Sequence, residues 1–113
     1  MHETQKTISE WATKTFGYPT VRRSLERMLE EVEEIEQLVT YSSEDNKVHC
    51  SEQYLEKIHE SIADECADMH ITMCQVMNVM GYDLHSCVDH KMEINRARKW
   101  KLNEDGTGQH IKE

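Results

Sequence analysis

The chain predicts an all-α protein, a bundle of four helices, and three observations lead to this fold class. Apolar residues recur at helical spacing over long stretches. Capping residues and glycines stand where those stretches begin and end. No stretch shows the alternation of polar and apolar residues that is typical of a strand. With 113 residues and 37% hydrophobic content, residues 1–113 form one domain with a modest core, and long helices in so small a chain favour self-association.

The first two helices are predicted from residues that end or cap helices. A short helix over roughly residues 4–15 ends at Gly17. Thr20 follows a turn and can cap a second helix over about residues 20–40. Residues 41–47 are polar and rich in turn formers, which predicts the main flexible loop.

Two further helices are predicted in the second half of the chain. Ser51 is a good cap for a long third helix that Gly81 closes. Asp83 can cap a fourth helix that reaches about Lys99. The tail at residues 103–108 is predicted to be a loop. The bundle therefore has three long helices and a short N-terminal one.

The charge distribution limits the classes of partner. A formal net charge of −9 argues against a nucleic-acid polymer as partner. No apolar run is long enough for a membrane span, and the N-terminus lacks a signal pattern, so we expect a cytoplasmic protein without a membrane partner. Basic residues crowd one segment near the C-terminus and predict a local anion site: Lys91, Arg96, Arg98, Lys99 and Lys101.

Two acidic motifs carry most of the functional information. They are Glu30-Glu31-x-x-Glu34 and, after a gap of 30 residues, Glu65-x-x-Asp68. Carboxylates three or four positions apart project from one side of a helix and can converge on a cation. Mg²⁺ or Mn²⁺ suits oxygen ligands of this kind. The alternative interpretation is a solvated acidic helix face.

The position of these motifs beside apolar residues favours the metal site. The second helix has an apolar stripe at Leu25, Met28, Val32, Ile35 and Val39, which Glu31 borders, with Glu34 one step further round. The third helix has a longer stripe, bordered by Glu65, with Asp68 beyond: Leu55, Ile58, Ile62, Cys66, Met69, Met73, Val76 and Met80. Two helices packed stripe to stripe would bring the acidic flanks together.

The fourth helix has an inward face that turns cationic. After Leu84 and Val88, the same face continues with Lys91, Asn95 and Arg98. These side chains can bind phosphates, or they can form salt bridges with the glutamates of a neighbouring helix. Elsewhere, Phe16 and Trp100 can be ordinary core aromatics or flat surfaces for a base.

The four cysteines show no CxxC pair and are predicted to be reduced and structural. One competing arrangement is a zinc module that would use Cys66, His70 and Cys74.

Taken in order, these motifs resemble the MazG-like all-α nucleoside triphosphate pyrophosphohydrolases. The family pattern EExxE followed by ExxD is similar to the two acidic motifs, and Lys91-x₃-Asn95-x₂-Arg98-x-Trp100 is similar to its fourth helix. The opening Trp11-x₃-Thr15-Phe16-Gly17 looks more like the phage and bacterial dATP/dGTP branch than the dUTP branch. The gap between the motifs is longer than in many members, and we assign the excess to the loop after the second helix.

The resemblance implies hydrolysis of an NTP or dNTP to the monophosphate and pyrophosphate, in a dimer or tetramer. Two or three Mg²⁺ or Mn²⁺ ions would be held by Glu31, Glu34, Glu65 and Asp68, with Glu34 or Glu30 as the general base. Lys91, Asn95 and Arg98 would bind the phosphates or sugar, and Trp11, Phe16 or Trp100 would line the base pocket. The branch favours purines, dGTP and GTP before dATP, and in a phage such an enzyme would reshape the nucleotide pool in the host cytoplasm.

Two other functions stay open at this stage. One keeps the reaction and replaces the purine with dUTP or a damaged, house-cleaning nucleotide. The other is a non-enzymatic helical module for protein interaction, in which the glutamates are only a solvated surface.

Overall fold

The computed structural model describes residues 2–18, 20–42 and 51–111. All four predicted helices are present: α1 (Gln5–Phe16), α2 (Val21–Ser42), α3 (Glu52–Met80) and α4 (Leu84–Ala97). Two short strands follow, β1 (Trp100–Leu102) and β2 (Gly108–His110). Of the loop predicted over residues 41–47, the first two residues continue α2, and residues 43–50 lie outside the described residues. The all-α prediction is thus confirmed, whereas assembly as a dimer or tetramer stays a prediction.

Local capping explains where the helices begin and end. Thr4 and Thr7 form a reciprocal capping box at the start of α1, and Gly17 ends that helix with a φ of +83°. The Thr20 hydroxyl accepts a hydrogen bond of 3.1 Å from the N–H of Arg23 at the start of α2. At α3, Ser51 accepts a hydrogen bond from the N–H of Tyr54, and Gly81 ends the helix in the left-handed region.

The chain divides into two compact units, Met1–Tyr82 and Asp83–Glu113. In the first unit α3 is the central helix, since both α1 and α2 pack on it. The buried apolar side chains of the described residues are few: Ala12, Ile58 and Cys74. The prediction of a modest core is consistent with this small set, and the single-domain assignment of residues 1–113 stays a prediction.

The face that α2 presents to α3 differs from the predicted stripe. The least exposed positions of α2 follow the spacing of a coiled coil: Val21, Ser24, Met28, Glu31, Ile35 and Leu38. Leu25, Val32 and Val39, which were predicted to be inward, are about half exposed. Apolar residues occupy two adjacent sides of α2, and within the described chain α3 covers only one of them. Glu31 therefore lies inside the packed face and not at its border.

The partner face of α3 shows the same pattern. Ile58 and Thr72 are buried, and Glu65 lies midway between them at seven-residue spacing, half-buried. Cys66, which was predicted to be in the apolar stripe, is exposed. The packed face of each helix thus has a carboxylate within it, Glu31 on α2 and Glu65 on α3.

The second unit begins with α4 and ends in a β-hairpin. The Asp83 carboxylate accepts hydrogen bonds from the N–H and the hydroxyl of Ser86, at 2.9 and 2.8 Å, which caps α4 and lowers the pKa of Asp83. The helix ends at Ala97 and not at the predicted Lys99. Nothing in the described helices is long and apolar enough to cross a bilayer.

The C-terminal hairpin was not predicted, because strands of three residues are too short to show an alternating pattern. β1 and β2 pair antiparallel, with Trp100 opposite His110. Their rings lie 5.9 Å apart, and the Trp100 indole donates a 2.8 Å hydrogen bond to the carbonyl of Asn95. Gly106, at a φ of +86°, allows the tight turn in the segment that was predicted to be a loop.

A carboxylate cluster and an adjoining pocket

The first unit contains a cluster of three carboxylates, which we call the carboxylate cluster: Glu31 of α2 with Glu65 and Asp68 of α3. One oxygen from each residue lies within 4.8 Å of the other two. Glu31 is only 6% exposed, whereas Glu65 is half-buried and Asp68 is exposed. The cluster therefore reaches from the interior of the α2–α3 contact to solvent.

The electrostatics of the cluster are unfavourable without a cation. Hydrogen bonding with Glu31, then burial, then hydrogen bonding with Glu34 raise the pKa of Glu65 to about 8, because each of these favours the protonated acid. When these carboxylates are all ionised, the buried Glu65 Oε2 has no hydrogen-bond donor among the described residues. A buried carboxylate oxygen without a donor is costly, so the site has the properties of one that a cation completes.

The donor set is chemically suited to Mg²⁺ or Mn²⁺. All the candidate ligand atoms are carboxylate oxygens, and hard divalent cations prefer such ligands. Glu34 stands one helical turn beyond Glu31, and its influence on the Glu65 pKa puts it next to the cluster. Three of the four predicted ligands thus form the cluster, and the fourth adjoins it.

Two contacts connect the cluster to its surroundings. Arg27 Nε lies 3.9 Å from Glu31 Oε1, as an ion pair between an exposed guanidinium and a buried carboxylate. The Thr72 hydroxyl donates a 3.0 Å hydrogen bond to the backbone carbonyl of Asp68. Arg27 and Thr72 therefore adjoin the cluster from α2 and α3.

A pocket adjoins the cluster, and we call it the arginine pocket. Its volume is about 430 Å³, and it lies beside the C-terminal end of α1 and the first turns of α2. It is lined by two aromatic residues, two arginines and four polar residues: Phe16, Tyr18, Arg23, Arg27, Thr20, Ser24, Thr72 and Gln75. Arg27 belongs both to this lining and to the ion pair with Glu31, which places the pocket next to the cluster.

Sequence reasoning missed Arg23, Arg27 and Gln75. A signal for the arginines was present, because Arg23, Arg27 and Glu31 are spaced four residues apart and must share one face of a helix. The predicted anion site rested instead on the clustered cationic residues near the C-terminus. Gln75 had no comparable signal.

Three other predicted site residues of the first unit lie outside the carboxylate cluster. Phe16 lines the arginine pocket, and Trp11 contacts it edge to face with ring centroids 5.5 Å apart. Trp11 itself lines another cavity, of about 650 Å³, together with Ile8 and Ile71. Glu30 is exposed and is not part of the carboxylate cluster.

The predicted phosphate-binding residues Lys91, Asn95 and Arg98 belong to the second unit, together with Trp100. Asn95 and Arg98 are half-buried in that unit, and Lys91 is exposed. Their roles towards the nucleotide stay predictions.

The zinc alternative is not supported by the geometry. Cys66 is exposed and Cys74 is buried, so the two thiols do not share one surface. Among the described residues, the carboxylate cluster is the group of three or more potential ligands that converges.

Comparison with solved structures identifies the fold. The structure is similar to that of the cyanophage S-2L MazG-like pyrophosphohydrolase, which was solved bound to dGDP and three catalytic Mn²⁺ ions per active site. The TM-score is 0.63 with 22% sequence identity, and the match covers 96% of this chain and 93% of that one. At this identity the likeness establishes the MazG-like all-α fold.

The sequence comparison agrees with the fold. The chain is 30% identical over 109 residues to a protein of Salmonella phage PMBT28 named dATP/dGTP diphosphohydrolase. That match covers 96% of this chain and 31% of the relative, so the chain spans about a third of the length of the curated relative. No family model matches the sequence. The chain therefore has the MazG-like fold, and the resemblance to the MazG-like pyrophosphohydrolases that its motifs predicted is supported by similarity in both structure and sequence.

Proposed function

We propose that this protein is a metal-dependent nucleoside triphosphate pyrophosphohydrolase that converts purine dNTPs or NTPs, with dGTP and GTP preferred, to the monophosphate and pyrophosphate. The observation that carries the proposal is the carboxylate cluster. It contains a buried Glu65 oxygen without a donor, and through Arg27 it adjoins a pocket large enough for a nucleoside. The names of the two relatives support the substrate class, since one is a dATP/dGTP diphosphohydrolase and the other binds dGDP with Mn²⁺.

The reaction requires attack of water on the α-phosphorus and departure of pyrophosphate. When bound, Mg²⁺ or Mn²⁺ would neutralise phosphate charge and lower the pKa of coordinated water. Two or three such ions would be held by Glu31, Glu65 and Asp68, together with Glu34. Glu34 is exposed beside the cluster, so one of its carboxylate oxygens can accept the proton of the attacking water.

The base would stack on an aromatic side chain of the arginine pocket. Phe16 and Tyr18 offer exposed rings there, and the Trp11 ring supports Phe16 from the side. Base stacking on an aromatic ring contributes about 1–3 kcal/mol. Gln75 adds an amide that can both donate and accept hydrogen bonds, as a purine edge requires. The resemblance also implies nucleotide binding by residues of the second unit, and we retain that role as part of the proposal for Lys91, Asn95, Arg98 and Trp100.

The experiment that tests this function is a panel of canonical NTPs and dNTPs with Mg²⁺ or Mn²⁺. The products are separated by chromatography, and pyrophosphate and orthophosphate are measured independently. We expect monophosphate and pyrophosphate in equal amounts, fastest from dGTP or GTP. Release of orthophosphate would contradict the reaction, and a preference for dUTP or a damaged nucleotide would contradict the purine assignment. A protein that binds no divalent cation and turns over nothing would be the helical interaction module.

We also propose that the chain self-associates through the uncovered side of α2. Leu25, Leu29, Val32 and Val39 lie on that side, and Leu29 is 65% exposed. An apolar row of this kind along a helix marks an interaction surface. Sedimentation should show a dimer or tetramer, and Leu29→Glu should shift it to smaller species. Gln37→Glu, which introduces the same charge at an exposed position away from the apolar row of α2, should not. A monomeric wild-type protein at micromolar concentration would refute this part.

In a phage, an enzyme of this specificity would act in the host cytoplasm and change the supply of purine deoxynucleotides for viral DNA synthesis.

A further inference from the structure

Arg27 belongs to both parts of the candidate site. Along α2, Arg23, Arg27 and Glu31 follow one another at four-residue spacing, which is one helical face. Arg27 lines the arginine pocket and its Nε approaches the carboxylate cluster at Glu31. It is therefore the cationic group at the junction between the pocket and the proposed metal site.

The guanidinium of Arg27 retains most of its hydrogen-bonding capacity. Its 3.9 Å separation from Glu31 Oε1 is an ion-pair distance and is too long for a hydrogen bond. A guanidinium carries five N–H donors, and the Arg27 side chain is 62% exposed. Arg23 differs, because its guanidinium donates a 3.2 Å hydrogen bond to Glu26. Arg27 therefore has more guanidinium donors available for an anion than Arg23 has.

The pocket and the cluster together define where that anion would be. The pocket has exposed aromatic rings at Phe16 and Tyr18, and the buried hydroxyl residues Ser24 and Thr72 in its wall, a lining suited to a nucleoside. The phosphates would lie at the cluster. A nucleotide that occupies both has its α-phosphate between them, where Arg27 stands.

We propose that Arg27 is a substrate-binding residue whose guanidinium binds the α-phosphate of the nucleotide. This inference rests on the proposed pyrophosphohydrolase function and deepens it. Arginine suits the role because its planar fork can donate two parallel hydrogen bonds to phosphate oxygens. Cations that neutralise Glu31 would also weaken its attraction for Arg27 and leave the guanidinium to the phosphate.

A competing role for Arg27 is to position Glu31 alone. The two roles predict opposite effects on metal binding. If Arg27 only orients Glu31, its removal weakens binding of Mn²⁺ in the absence of nucleotide. If Arg27 binds phosphate, its removal takes a positive charge away from the cation site, and Mn²⁺ alone should bind at least as tightly as in the wild type.

The experiment compares Arg27→Ala, Arg27→Lys and the matched control Arg22→Ala. Arg22 lies on the same helix, is exposed and does not line the pocket, so its loss changes the net charge equally. Calorimetry measures binding of Mn²⁺ alone and then of dGMP in the presence of Mn²⁺, and steady-state kinetics measure KM for dGTP. Circular dichroism checks that helix content is unchanged.

We expect Arg27→Ala to raise both the Kd for dGMP and the KM for dGTP by about tenfold or more, the scale of one hydrogen bond to a charged group. Arg27→Lys should lie between this variant and the wild type, because lysine retains the charge and loses the fork. The Arg22→Ala values should stay within about twofold of the wild type, as for a surface substitution away from the site.

Two results would overturn the inference while leaving the proposed function intact. One is a wild-type enzyme that hydrolyses dGTP and an Arg27→Ala variant whose dGMP affinity equals that of Arg22→Ala. The other is weaker binding of Mn²⁺ alone by Arg27→Ala, since that would assign Arg27 to Glu31. A wild-type protein that hydrolyses no triphosphate would instead refute the proposed function itself.

Discussion

Replacing Glu65 with a neutral residue removes part of the candidate site, yet it should make the metal-free protein more stable than the wild type at high pH. In the folded chain Glu65 has a pKa raised from 4.5 to about 8, because Glu31 and Glu34 stand beside it and it is partly buried. Glu65→Gln keeps the shape of the side chain and cannot ionise. The variant therefore removes the cost of placing this charge next to its neighbours.

The direction in which the free energy of unfolding changes with pH follows from proton linkage. A group whose folded-state pKa is raised contributes its full stabilisation below about pH 4.5 and loses it as the pH rises to about 8. One pKa unit corresponds to 1.36 kcal/mol, so this shift is equivalent to at most about 5 kcal/mol. The free energy of unfolding of the wild type, without metal, should fall by part of that amount between these pH values.

Urea unfolding followed by circular dichroism, in a chelator and at several pH values between 5 and 8.5, measures the effect. The quantity to compare is the difference in the free energy of unfolding between wild type and Glu65→Gln, because every other ionisable group is common to both. We expect the variant to gain stability over the wild type as the pH rises. Glu60→Gln is the matched control, since Glu60 is exposed on the same helix.

A constant difference between wild type and Glu65→Gln across the pH range would refute the reasoning. The same conclusion would follow if Glu60→Gln gave an equal gain, because the effect would then come from net charge and not from the cluster.

Three further predictions concern the metal, catalysis and the backbone. Mn²⁺ at a hundred times its Kd should stabilise the wild type by about 2.7 kcal/mol and raise its melting temperature; an equal rise for Glu65→Gln would count against the cluster as the site. Glu34→Gln and Asp68→Asn should each lower kcat by about a hundredfold or more, with helix content unchanged in circular dichroism; wild-type turnover by either variant would remove that residue from the site. Gly81→Ala should cost about 1–2 kcal/mol in urea unfolding, because Gly81 has a φ of +78°. Gly108→Ala, at an ordinary φ, should be nearly neutral, and equal losses would contradict the backbone argument.

Much of the helical structure could be predicted because its causes are local. Thr20, Ser51 and Asp83 each cap a helix with their own side chain, and Gly17 and Gly81 end helices by adopting a positive φ. Such signals act within a few residues and are visible in sequence. The C-terminal hairpin escaped prediction because its pairing of Trp100 with His110 depends on contacts ten residues apart.

The candidate site likewise has one part that the sequence predicted and another that only tertiary packing decided. The spacing of Glu65 and Asp68, and of Glu31 and Glu34, is a property of the helix and by itself predicted carboxylates that converge. Tertiary packing decided the rest. Which side of α2 meets α3 depends on how two apolar sides compete for one partner, and this placed Glu31 inside the contact. Helical spacing puts Arg27 next to Glu31, and tertiary packing formed the pocket on the other side of Arg27, so that it stands between the cluster and the pocket.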